Sequence, residues 1–205
     1  MLDYWHNQYT ARGFIPGGMF TNKSVCYIPI PKNSSSFVGK LMLANQWGID
    51  NFLTSDLTNK QVIILLRDPV ERWVSGMAQY LCSTGYPVDN TIKEWNNLTT
   101  TLVFDRVIFD DHTEQQVYFI NTVAEENRVY FNGIHGVAEK LQKYLATQDI
   151  DLNTNVDITL GDNTQHKKLT TFLKELLKKD IKLVDRIKEV YSDDYELINR
   201  VKFYD

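Results

Sequence analysis

The 205-residue chain predicts an α/β fold in three layers, a mostly parallel central sheet with helices on both faces. Two stretches carry this. Gln61-Val-Ile-Ile-Leu-Leu66 is an uninterrupted apolar run, the pattern of a strand covered on both sides. Ser24 to Leu43 reads as a short buried strand, a tight polar loop and a helix. Strand-like and helix-like segments alternate downstream, which is how parallel strands are joined. The length fits one domain with a real core.

Residues 1–23 are aromatic and hold the turn Pro16-Gly17-Gly18, so they read as an irregular arm. Val25, Tyr27, Ile28 and Ile30 favour a strand over 24–30, ended by Pro29 and Pro31. Phe37, Val38, Leu41 and Met42 recur at helical spacing and place a helix over 37–47, with Gly48 positioned to end it. After the 61–66 strand, Asp68 suits an N-cap, Pro69 the first helical position, and Glu71 a capping box with Asp68. Val70, Trp73, Val74, Met77 and Leu81 form the buried face of that helix, with Ser75 turned away from it. Residues 83–100 are polar and turn-rich, a loop with short helical pieces suited to a lid or substrate wall. Residues 102–109 fit a short helix or a strand equally. Residues 128–131 read as a strand, 136–147 as an amphipathic helix and 156–160 as a short β segment. Helices near 169–179 and 181–191 and a turn at 195–201 close the chain.

The net charge of −4 gives no blanket attraction to nucleic acid or to an anionic membrane, so any anion site is local. Cys26 and Cys82 are the only cysteines, and Cys26 falls in a core strand, which argues against a disulfide framework and fits a reducing compartment. No Cys/His grouping suggests zinc. Met1-Leu-Asp-Tyr-Trp-His has neither a basic n-region nor an apolar h-region, and no apolar run has the length of a membrane span. The expectation is a soluble cytoplasmic protein in which the sequons at Asn22, Asn33 and Asn97 are chance matches.

The chemistry concentrates at Lys32-Asn33-Ser34-Ser35-Ser36-Phe37. Serines 34–36 sit where a helix begins, where backbone N–H groups and the helix dipole favour an anion. Their hydroxyls add donors and Lys32 adds a mobile positive charge, which together make a phosphate or sulfate cradle. Lysine comes first and no glycine lies inside the loop, which argues against an ATP or GTP P-loop. The loop resembles the 5′-phosphosulfate loop of the sulfotransferase superfamily. Arg67-Asp68-Pro69-x-x-Arg72-x-x-Ser75-x-x-x-x-Tyr80 resembles the 3′-phosphate motif of the same superfamily. A guanidinium can hold two phosphate oxygens and a hydroxyl can donate beside it.

The resemblance implies a P-loop-like sulfotransferase fold that takes PAPS as sulfuryl donor and releases PAP. It implies Lys32 at the bridging oxygen, Asn33, Ser34, Ser35 and Ser36 around the 5′-phosphate, and Arg67 and Ser75 on the 3′-phosphate. Phe37 stacks on adenine or joins the core. Asp110-x-His112-x-x-x-Gln116 is similar to a D-x-H-x-x-x-Q stretch of the carbohydrate branch. Residues 163–168 sit where the family has a loop near the cofactor, where Lys167 and Lys168 add positive charge or simply start a solvated basic helix. Tyr191-x-x-Asp194-Tyr195-Glu196-Leu197 resembles the family's closing helix. The chain departs from the family in its shortness and in Asn132, where a glutamate often follows the third strand.

An acceptor hydroxyl needs a base. His112 is the candidate because histidine titrates near neutrality, with Asp110 or Asp111 to orient it and Glu114 as runner-up. His6, His135 and His166 have weaker claims, and Trp47 and Trp95 fit either core or a substrate platform. The scheme requires no metal. The branch points to a sugar hydroxyl, with a small molecule, a lipid or a protein tyrosine as alternative acceptors, and to no nucleic-acid or membrane partner. Competing readings are a PAP-binding protein without catalysis and a small-molecule kinase. The kinase would need a Walker-type loop and a Mg²⁺ carboxylate at a strand end, and the sequence has neither.

Overall fold

The computed structural model describes residues 18–50, 55–84, 88–95, 106–133, 135–160 and 163–204. The chain forms two compact units, each discontinuous in sequence. The first comprises Met1–Arg67, Gln116–Leu160 and Arg200–Asp205; the second comprises Asp68–Gln115 and Gly161–Asn199. Most of the 1–23 arm with His6, parts of the 83–100 loop, the side chain of Trp95, and residues 101–105 lie outside the described residues.

The fold is mixed α/β around an open five-stranded mixed sheet, in the order β3-β1-β2-β4-β5. These strands are β1 (Met19–Asn22), β2 (Val25–Ile28), β3 (Gly48–Asp50), β4 (Gln61–Leu66) and β5 (Arg128–Asn132). β4 runs parallel to β2 and to β5, while β1 is antiparallel to both β2 and β3. The antiparallel half is where the sheet departs from the mostly parallel expectation. Its source is residues 19–22, which form a strand rather than part of an irregular arm. Asn22 pairs with Val25 across a two-residue turn in which Lys23 takes φ 51°. Hairpin turns of this kind need a left-handed residue, and here a lysine supplies it where glycine or asparagine is usual.

The core of the first unit packs α1 (Ser35–Ala44) and α4 (Val137–Ala146) against alternate residues of the parallel strands. Tyr27, Ile63 and Leu65, and Phe131 belong to this cluster, as do Val38, Leu41, Leu141 and Leu145. The alternate strand residues Cys26, Val62, Ile64 and Leu66 are also buried, which explains the continuous apolar run of β4. Helix α1 ends earlier than Gly48. Gln46 takes φ 61°, its N–H donates to Leu43 O (2.9 Å) and Trp47 N–H donates to Met42 O (3.0 Å), a Schellman ending. Burial of Trp47 beside Met42 in the core drives this, and Gly48 opens β3 instead. Residues 156–160 form no strand; Val156 and Ile158 pack on the core without a partner strand.

In the second unit, α2 (Pro69–Ser83), α3 (Val88–Trp95), α5 (Thr164–Lys179), α6 (Ile181–Val190) and α7 (Ser192–Arg200) pack around Trp73, Met77, Leu81, Leu169, Leu173, Leu183 and Ile187. Among the described residues no helix is long and apolar enough to cross a membrane. Asp68 caps α2 as its sequence suggests, its carboxylate accepting from Glu71 N–H at 2.9 Å. Replacing Asp68 by Ala removes that acceptor and should cost about 1 kcal/mol of stability in urea denaturation. An unchanged midpoint would contradict the cap.

Candidate functional site

The first cluster lies in the first unit, at the carboxyl ends of β2 and β4. The chain leaves β2, passes the buried Ile30 and enters α1 through Lys32 (φ 67°) and Ser34 (φ 60°), both left-handed. Alternation of right- and left-handed residues turns successive backbone N–H groups toward one side, a geometry that receives anions. Ser34 is the N-cap by position but makes no side-chain cap bond; its hydroxyl donates instead to the Gly133 carbonyl after β5. The first turn of α1 is thus uncapped by that side chain, and Ser36 stands exposed beside a half-buried Ser35.

Asn33 is fully buried. Its Nδ2 donates to Leu65 O (2.7 Å) and to Gln116 Oε1 (2.6 Å). Gln116, also fully buried, accepts from Arg67 N–H at 3.0 Å and donates from Nε2 to Arg67 O at 2.9 Å. Arg67 in turn donates from Nη1 to the Lys32 carbonyl at 3.2 Å. The structure therefore brings together Lys32, the 34–36 turn and Arg67. It gives the Asn33 side chain a positioning place rather than a ligand-facing one. Phe37 is partly buried against the core, and Trp47 is core. In the sequence Gln116 is part of a motif without a role of its own; as the first residue of a 3₁₀ turn (Gln116–Phe119) it carries no local mark of burial.

The second cluster lies in the second unit. Asp110 Oδ1 accepts from His112 N–H (3.1 Å) and Thr113 N–H (3.2 Å), closing a turn that fixes the imidazole. His112 Nδ1 lies 2.9 Å from Asp110 Oδ2 and 3.1 Å from Asp111 Oδ1. Burial alone would lower the histidine pKa, but hydrogen bonds to Asp110 and then Asp111, with their charges, outweigh it and raise the value to about 9. Burial would raise the Asp111 pKa, and the His112 contacts pull it below the usual carboxylate range instead. Asp110, Asp111 and His112 each bring a ligand atom within 4.8 Å of the others. The Nδ1–oxygen distances are those of charge-assisted hydrogen bonds, so in this arrangement the three form an ion triad.

The triad's loop is held from beneath. Arg72, fully buried in α2, donates to the Glu114 carbonyl and to Asp111 O (3.3 Å). Tyr191 donates to the Thr113 carbonyl, and Gln115 Nε2 donates to Val190 O at 2.6 Å. Glu114 is buried, its Oε1 accepting from Gln115 N–H at 2.9 Å. Ser75 is partly exposed and its carbonyl accepts from His166 Nε2 at 3.0 Å. Its neighbour Gly76 lets the His112 backbone approach α2. Lys167 and Lys168 are exposed in the first turn of α5 and line a shallow groove of about 470 Å³ with Ile92 and Phe172. Lys168 lies 3.6 Å from Asp89, both in solvent. His135 is exposed.

Two outcomes test this cluster. A Cβ at Gly76 would stand 2.1 Å from the His112 carbonyl oxygen, so Gly76→Ala should displace the loop and cost about 1–3 kcal/mol in denaturant melts. A fully stable variant would show the approach is not tight. A raised histidine pKa contributes stability that is complete below the unfolded value of 6.5 and is lost as pH rises through about 9. The stability gap between wild type and His112→Gln should therefore shrink across that window, and a pH-independent gap would refute the triad. Set against known proteins, no family model, no curated protein and no solved structure matches the chain, so the site stands on its own residues.

Proposed function

We propose that the chain is a PAPS-dependent sulfotransferase acting on an acceptor hydroxyl, with a carbohydrate as favoured acceptor, on the three-layer, P-loop-like fold of that superfamily. The observation that carries this is the Arg67 Nη1 donation to the Lys32 carbonyl at 3.2 Å, which joins the two motifs where ligands of α/β sheets bind. The donor set suits a polyanion: two cations, the hydroxyls of Ser35 and Ser36 and the opening turn of α1, with no carboxylate among them.

PAPS supplies an activated sulfuryl group on a phosphosulfate linkage. In this reading Lys32 holds the negative charge of the bridging oxygen, the chemistry asked of a cation in such transfers. Ser35, Ser36 and the N–H groups of the turn hold the 5′-phosphate. Ser34 contributes its backbone, since its hydroxyl is engaged by Gly133. Arg67 holds the 3′-phosphate; Ser75 and His112 belong to the second unit, and their roles rest on the motif resemblance. One observation favours a second reading, a PAP-binding protein without transfer. With its pKa near 9, His112 keeps its proton at neutral pH and serves poorly as a base there.

Thermal-shift measurements with PAP, ATP and NADP test the ligand class: PAP alone should stabilise the protein, and equal or absent shifts overturn the reading. Lys32→Ala should abolish ³⁵S transfer from labelled PAPS with the fold intact, and near-wild-type turnover refutes its role. Arg67→Ala should weaken PAP about 10- to 100-fold by calorimetry while adenosine 5′-phosphate loses far less. Equal losses show that Arg67 does not read the 3′-phosphate. Retained PAP binding with no transfer to any acceptor selects the second reading.

A further inference from the structure

We infer that Gln116 is a positioning residue of the anion loop, its carboxamide fixing the Lys32–Ser36 turn and Arg67 in register with each other. The inference rests on the anion-binding reading of that loop. Gln116 exchanges both of its amide functions with the backbone of Arg67, at 3.0 and 2.9 Å, as a residue of a neighbouring strand would. The same Oε1 accepts from Asn33 Nδ2 at 2.6 Å. Asn33 sits between Lys32 and Ser34, the two left-handed residues that shape the turn. One buried side chain thus governs the root of the guanidinium and the middle of the loop.

The requirement is chemically narrow. The side chain must accept two hydrogen bonds through one oxygen and donate a third from the same planar group. An ionised glutamate of the same shape keeps both acceptances and loses the donation, setting an oxygen against the Arg67 carbonyl. Methionine fills a similar volume and keeps none of the three. Either change leaves buried polar partners without their bonds.

The test uses the full chain and two variants, Gln116→Glu and Gln116→Met. PAP and inorganic pyrophosphate are titrated by calorimetry, backbone amide exchange is followed at residues 32–36, and thermal melts report folding. Both folded variants should bind PAP at least tenfold more weakly and exchange faster at 32–36. A role in stability alone lowers the melting temperature but leaves affinity within twofold of wild type, and that result overturns the inference. If neither variant folds, the wild type decides: the Gln116 side-chain amide protons should exchange slowly and shift on PAP addition, and fast exchange or unshifted signals overturn it. Wild-type protein that binds neither PAP nor pyrophosphate overturns the proposed function instead. Loop exchange in the variants then still decides Gln116, because unchanged exchange at 32–36 removes its positioning role.

Discussion

Two buried side-chain amides, those of Asn33 and Gln116, hold the end of β4 and the loop after β2 in one arrangement. The loop could not keep its shape unaided. A left-handed conformation costs a non-glycine residue about 1–2 kcal/mol, and Lys32 and Ser34 both adopt it. Four tethers offset this: Asn33 to Leu65, Asn33 to Gln116, Ser34 to Gly133 and Arg67 to Lys32. At about 1 kcal/mol for each hydrogen bond they match the conformational cost. Two of the side chains that set the cradle's shape, those of Asn33 and Gln116, are thus buried groups that no ligand need touch.

The second unit solves a similar problem with a charge. Arg72 has lost its water entirely, and burial pulls its pKa down while Tyr191, Asp194, Glu114 and Asp111 counter that. Its donors go to backbone carbonyls of the 110–115 loop. A desolvated guanidinium satisfied in this way is costly to disturb, because removing either side strands a polar group. The loop carrying the His112 triad is thus anchored to α2 by Arg72 and to the end of α6 by Tyr191 and Gln115. Tyr191 and Asp194, singled out in the sequence only as a closing motif, are buried members of this anchor.

What could be read from the sequence was what local patterns encode. The β4 run, the Asp68 cap with Pro69 behind it, and the Asp110–His112 pairing each lie within a few residues. What escaped needed partners far along the chain or an unusual residue in a familiar backbone state. Asn33 and Gln116 are 83 positions apart, and nothing near Asn33 says that it points inward. Lys23 and Gln46 take left-handed positions that glycine or asparagine usually signals, so the β1–β2 hairpin and the early end of α1 left no mark. Arg72 reads as one more cation on an amphipathic helix until its burial is seen.

The inward turn of Asn33 bears on how the protein is made. Asn33-Ser34-Ser35 is a glycosylation sequon, and the sugar would be attached to the same Nδ2 that donates to Leu65 and Gln116. A glycan has no room on a fully buried amide, so each chain can be glycosylated there or folded, never both. A chain glycosylated at Asn33 in a secretory host would lack a formed cradle, because the modified Nδ2 could not take its buried place.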